Sequence, residues 1–370
     1  MADIFDLPLN TTHLRHQIKR LSQEKGVSFK HLFREVQRVL DRLGTVWTRR
    51  RIIARVLKVY GVNDQRTDGW HLKRSEMITA SEITKAFKSA TPSARRELIL
   101  KKIEGAKPGD GGMNSACAHG TRFEPIAKEI YCALQGGGSV VDTSCVVHPK
   151  YPFLGASPDG IYMAESRTDP RWGKLIEFKC PVSRKFDATT PIPNEYYHQM
   201  QLQMECTNLD ECDYVEMQFG VLTQSAWAAS ESPFKGRFAI FDDGRVLYEQ
   251  GPPTRAWKDA LKQGEDEFWI THWVLVQHRI ATVPRDYTWM EQHLDDIRST
   301  WEEVLHHRAN GTVPEKAEKG DTLIVEREPE IDLSYAPLVS HVPVCENPVA
   351  KSDSSLVCKT SPLTLLFSFD

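Results

Sequence analysis

The sequence has no surplus of positive charge. Its 370 residues carry 47 lysines and arginines against 50 aspartates and glutamates, a formal net charge of −3. Composition therefore does not announce a nucleic-acid binder, although a groove needs only local positive potential. No apolar run is long enough to cross a bilayer. The start, Met1-Ala2-Asp3-Ile4-Phe5-Asp6, lacks the basic segment and apolar core of a secretory signal. An intracellular protein without a membrane partner is expected. The eight cysteines include no C-x-x-C pair, and their spacing does not suggest a four-cysteine iron–sulfur cluster. Reduced thiols are expected instead. The glycines between Gln135 and Ser139 are not followed by the lysine of a phosphate-binding loop, which excludes a nucleotide site of that kind.

What is present centres on Gly155 to Pro181. Ser157-Pro158-Asp159-Gly160 forms a turn and opens a strand at Ile161-Tyr162-Met163. Lys174-Leu175-Ile176-Glu177-Phe178-Lys179-Cys180-Pro181 alternates like a second strand, which puts Glu177 and Lys179 on one face. If these strands are neighbours, two carboxylates and an ammonium converge. Mg²⁺ takes oxygen ligands and keeps waters beside one or two carboxylates, so Asp159, Glu177 and the Phe178 carbonyl suit it, with Mn²⁺ as substitute. Lys179 then aligns a nucleophile for phosphodiester hydrolysis. The competing reading is a surface turn beside a solvated Glu/Lys face.

Along the rest of the chain, residues 10 to 60 read as helical, with a start at Ser28, a stop at Gly44 and a basic stretch from Thr48 to Lys58. That stretch is either a DNA-contacting wedge or an ordinary solvated face. A helix is expected from about Thr79 through Phe87. Another carries Glu124, with Phe123, Ala127, Ile130 and Leu134 buried and Pro125 in its first turn. Val140 to Val147 reads as one strand, Thr168 to Gly173 as an exposed hairpin insertion, and residues 194 to 206 as a helix with Tyr196, Gln199 and Gln203 on one face. Tyr214 to Val221, Arg237 to Phe241 and Arg245 to Tyr248 read as strands. Trp257 to Ile280 and Trp289 to His307 read as helices. From Gly311 the composition suggests disorder, so the expected division is 1–66 helical subdomain, 67–310 core and 311–370 tail.

Five motifs occur in order: Trp70-His71-Leu72-Lys73-Arg74 with Ile78 to Ile83; His119-Gly120-Thr121-Arg122-Phe123-Glu124-Pro125; Ser157-Pro158-Asp159-Gly160; Glu177-Phe178-Lys179-Cys180-Pro181; and Tyr196 to Met204. Together they resemble the lambda exonuclease family, or YqaJ-type viral recombinases, of the PD-(D/E)xK nuclease superfamily, over roughly residues 67 to 221. The resemblance implies an α/β restriction-endonuclease-like core, a central mixed β-sheet flanked by helices. It implies Mg²⁺-dependent 5′-to-3′ digestion of double-stranded DNA ends in recombination, repair or viral DNA processing, and a single-strand annealing protein as partner. It assigns Asp159 and Glu177 to metal, Lys179 to the nucleophile, and Gln199 and Glu124 to the edge of the site. Arg74, Ser81 and Ser157 then hold the terminal 5′ phosphate. Two alternatives stay open, an endonuclease on the same core and a non-catalytic DNA-binding adaptor. The family contains trimeric rings and monomers. The N-terminal extension and tail depart from the short phage pattern, so the assembly stays open too, as do the host cytoplasm and nucleus as compartments.

Overall fold

The structure, a computed structural model, describes residues 11–58, 65–105, 116–249, 257, 261 and 267–316. They fall into two compact units divided after Arg55. The first holds α1 (Thr11–Lys25) and most of α2 (Phe29–Leu57). Gly26, at φ +61°, lets the chain turn between them, and the Ser22 hydroxyl closes the turn on the Val27 carbonyl at 2.6 Å. α2 starts directly after Ser28, as expected. It then runs through Gly44 for 29 residues instead of stopping there. A glycine ends a helix when it takes the left-handed conformation; inside one it costs only about 1 kcal/mol.

The second unit is built on a seven-stranded mixed sheet. Its strands in chain order are β2 (Ser139–Val141), β5 (Gly160–Met163), β6 (Leu175–Lys179), β7 (Glu211–Leu222), β8 (Lys235–Phe241), β9 (Val246–Tyr248) and β10 (Phe268–Pro284). In space they run β2-β5-β6-β7-β10-β8-β9. β6 and β7 are parallel, and the other pairs are antiparallel. A small three-stranded sheet joins β1 (Ile78–Thr79), β4 (Leu154–Ala156) and β3 (Val146–Val147). The helices are α3 (Asp68–Ser75), the 3₁₀ helix Ala80–Ala86, α4 (Pro92–Glu104), α5 (Ala116–Leu134), α6 (Asn194–Thr207), α7 (Gln224–Ala229) and α8 (Trp289–Asn310). α5 covers the Phe178 face of β6 through Tyr131. α6 covers the opposite face, that of Glu177. The expected architecture, a mixed sheet flanked by helices, is the one found.

Several local expectations are corrected. The helix expected from Trp257 to Ile280 does not extend through its second half: Trp257 and Leu261 are helical, but residues 268–284 form β10, paired with β7 on one side and β8 on the other. Its aromatic and β-branched residues, Phe268, Trp269, Ile270, Thr271, Trp273, Val274, Val276 and Ile280, favour a pleated surface, and the two partners supply its hydrogen bonds. Val140 to Val147 splits between β2 and β3, which belong to different sheets. The expected Thr79–Phe87 helix is a tighter 3₁₀ turn, capped by a Thr79–Glu82 capping box. α5 begins at Ala116, so Pro125 lies inside the helix rather than in its first turn. Phe123, Ala127 and Ile130 are buried as expected, joined by Ile126 and Tyr131, with Leu134 only half-buried. The connection at Thr168 to Gly173 is pinned rather than fully exposed, because Trp172 is buried and Gly173 N–H donates to the Tyr162 carbonyl at 2.7 Å. The proposed tail from residue 317 onward lies outside the described residues.

Candidate active site

The site forms where β5 and β6 begin to diverge. Gly160 pairs with Ile176 across the antiparallel ladder, which places Asp159, one residue earlier, opposite Glu177. The turn before Asp159 is tied down at the Pro158 carbonyl, which accepts from Thr143 Oγ1 at 2.6 Å and Gln65 Nε2 at 2.8 Å. Asp159 Oδ2 accepts from the main-chain N–H of Phe178 at 2.8 Å. A strand residue aims its N–H and C=O to the same side, so the Phe178 carbonyl opens toward the edge that Asp159 occupies.

Glu177 is 1% exposed and its carboxylate is held on both oxygens. Oε1 accepts from Lys179 Nζ at 2.5 Å and Gln199 Nε2 at 2.7 Å, while Oε2 accepts from Gln203 Nε2 at 2.6 Å. A carboxylate oxygen has two lone pairs, so Oε1 is saturated and Oε2 keeps one for a further partner. Lys179 also touches Gln199 Oε1 at 3.3 Å and lies over the Tyr196 ring at 4.4 Å. Gln203 is fully buried, and its own carbonyl oxygen faces the Cys212 thiol at 3.9 Å. The sequence reading placed Gln203 on this face and gave it no role. The signal was available in the four-residue spacing to Gln199, which lets one helix face reach both oxygens of one carboxylate.

Charge is crowded here. Burial first, then Glu177 and Glu124, push the Asp159 carboxyl well above its ordinary range, against the pull of Lys179 and Lys128. Burial alone would depress the Lys179 ammonium; Glu177 and Asp159 outweigh it and hold it protonated above the usual lysine value. Glu124 projects from mid-α5 and pairs with Lys128 at 2.7 Å and Arg66 at 2.5 Å. Against the opposing cost of burial, these cations keep its carboxyl below the usual range. Among the described residues, no group of three or more His, Cys, Asp or Glu side chains forms a ready-made metal cage. Two carboxylates and a main-chain carbonyl nonetheless match the hard-oxygen habit of Mg²⁺. A cation would also relieve the repulsion felt at Asp159.

The remaining site residues meet in a second cluster. Arg74, near the end of α3, donates through Nη2 to Ser81 Oγ at 2.9 Å and stacks over Trp70 at 4.3 Å. Trp70 Nε1 donates to Ser157 Oγ at 3.0 Å. Ser157 lies two residues before Asp159, so the SPDG turn joins the two clusters. All the residues singled out from the sequence thus fall in these two adjoining groups.

Residues 69–210 match the model of the YqaJ-like viral recombinase domain, a stretch that contains all five motifs. An uncharacterized protein, R354, of Acanthamoeba polyphaga mimivirus is 27% identical over 169 residues. That match covers 44% of this chain but only 30% of the mimivirus protein. Among solved structures, an alkaline exonuclease (LHK-Exo) from Laribacter hongkongensis aligns with a TM-score of 0.40 at 22% identity, covering 66% of this chain and 95% of that one. A phage-related exonuclease from Haemophilus somnus 129PT aligns at 0.36 and 13%, covering 64% and 96%.

Proposed function

We propose, from the match of residues 69–210 to the YqaJ-like viral recombinase domain and from the site itself, that this protein is a Mg²⁺-dependent deoxyribonuclease. It digests double-stranded DNA from free 5′ ends. The observation that carries this reading is the placement of Asp159, in the turn just before β5, opposite Glu177 and beside Lys179 on the neighbouring β6, with Glu177 buried and braced by three donors.

Asp159, Glu177 and the Phe178 carbonyl would hold the ion. When bound, Mg²⁺ supplies charge neutralisation on the phosphate and an acidified water. The chain's own groups do the rest. Lys179, kept protonated by its acidic neighbours, orients the attacking water and meets charge developing on the phosphate oxygens. Gln199 and Gln203 fix the Glu177 carboxylate so that it need not reorganise during the reaction. Glu124 balances Lys128 and Arg66 at the rim. Arg74, Ser81 and Ser157 receive the terminal 5′ phosphate, whose charge an arginine can take through paired N–H groups. Removal of nucleotides from the 5′ strand leaves a 3′ single strand, the substrate of a single-strand annealing protein.

The test uses end-labelled linear duplex bearing a 5′ phosphate or a 5′ hydroxyl, beside covalently closed circular DNA, in Mg²⁺, Ca²⁺ or EDTA. Expected are Mg²⁺-dependent release of 5′ nucleotides, faster from phosphorylated ends, and intact circles. Cleavage of closed circles would favour an endonuclease, and undiminished cleavage in EDTA or by purified Lys179→Ala would overturn the assignment.

A further inference from the structure

Behind the Arg74–Ser81 pair lies a buried ion pair that the proposed chemistry does not use. Lys102 is 1% exposed and Glu82 5% exposed. A buried ion pair is a poor source of stability, since the cost of stripping water from two charges rivals their attraction. Its position explains it better.

Lys102 lies in the last turn of α4. Its Nζ donates to the main-chain carbonyl of Arg74 at 2.9 Å, one of the terminal carbonyls of α3, and pairs with Glu82 Oε1. Glu82 Oε1 also accepts from the Thr79 N–H at 3.1 Å and the Thr79 hydroxyl at 3.0 Å. Glu82 Oε2 takes Lys101 at 3.0 Å. One carboxylate therefore caps the start of the 3₁₀ helix that carries Ser81, and its partner grips the end of α3 that carries Arg74. Arg308 of α8 adds a brace, donating to the Ser75 carbonyl at 2.9 Å and the Lys102 carbonyl at 2.5 Å.

We propose that the Glu82–Lys102 ion pair is a positioning device that holds Arg74 and Ser81 at clamp distance, and so sets the preference for phosphorylated over hydroxyl 5′ ends. This rests on the phosphate-clamp reading given above. Neither charge is placed to touch the DNA: Lys102 is covered, and its ammonium is spent on Glu82 and the Arg74 carbonyl.

The experiment measures kcat and KM on duplexes with 5′-phosphate and 5′-hydroxyl ends for the wild type, Lys102→Met and the double variant Glu82→Gln/Lys102→Met. The double variant removes both charges of the pair and guards against the misfolding that one unpaired buried charge would cause, checked by a cooperative melt. In both variants the ratio of kcat/KM for phosphate over hydroxyl ends should fall tenfold or more. The loss should come through KM for the phosphorylated end, with the half-saturating Mg²⁺ concentration unchanged. A folded double variant that keeps the wild-type ratio would overturn the role of the ion pair while leaving the clamp standing. A wild type indifferent to the end group would overturn the clamp itself, and this inference with it.

Discussion

Asp159 carries a charge that its surroundings resist. Burial and the neighbouring Glu177 and Glu124 raise its folded-state pKa above the unfolded value. The neutral form is therefore favoured in the folded protein, and at neutral pH the ionised form costs stability. That cost shrinks as pH falls below the raised pKa and is gone only below the unfolded value. Asp159→Asn keeps an acceptor for the Phe178 N–H and removes the charge. It should abolish cleavage yet raise the denaturation midpoint in EDTA at pH 7; a lower midpoint would contradict the crowding described here. Gln203 acts one step back from the chemistry. Gln203→Leu removes the donor to Glu177 Oε2 in a fully buried place. Losses of this kind are about 10–100-fold in metal affinity or activity. The expected outcome is a fall of that size in kcat, a higher Mg²⁺ requirement and an unchanged KM for DNA, read from steady-state kinetics across a Mg²⁺ titration.

At the scale of elements, the site depends on how closely strands approach. A Cβ added at Gly160 would sit 2.3 Å from Val140 Cγ1 on β2 and 3.1 Å from the Val141 carbonyl. The branched Val140 side chain is stiff and the carbonyl is backbone, so β2 and β5 would have to part. Gly160→Ala is expected to destabilise by about 1–3 kcal/mol, measured by denaturant melts, and to cut activity by shifting the adjacent Asp159. β5, β6 and α6 were legible in the sequence because their patterns are local: a Pro-Asp-Gly turn, alternation over Leu175 to Lys179, and glutamines at helical spacing. β10 was not. Its charged and bulky residues suit either period, and what makes residues 268–284 a strand is hydrogen bonding to β7 and β8 from distant parts of the chain. The early start of α5 was missed for a related reason. Pro125 is tolerated inside it on an exposed face, so a helix-breaking residue did not mark the boundary.

For the molecule as a whole, acid sensitivity should follow the Glu82 network. Lys102 and Lys101 overcome the cost of burial and lower the Glu82 pKa from the usual 4.5 to about 2. A depressed carboxylate stabilises the fold above its unfolded pKa, and the contribution is lost as pH falls toward the folded value. At 1.36 kcal/mol per unit, protonating this group costs the fold about 3 kcal/mol between roughly pH 5 and pH 2, although burial pushes the partner Lys102 ammonium down to about 8 and offsets a similar amount of the pair's worth at neutral pH. Unfolding free energies at stepped pH should show that loss in the wild type and a flatter acid limb in Glu82→Gln/Lys102→Met. Equal slopes would show that Glu82 is not held ionised by its lysines in the folded protein. The sequence alone singled out the residues proposed for the chemistry, because a metal-assisted hydrolysis asks for particular side chains at short spacings along one or two strands. It also determined the mixed character of the fold, through local periodicity. Only the tertiary structure decided that Gln203 braces Glu177, that Glu124 answers to Arg66, and that a buried Glu82–Lys102 pair stands behind Arg74 and Ser81. Those contacts join segments far apart in the chain, and no local pattern encodes the distance between side chains that meet only when the sheet and its helices close around them.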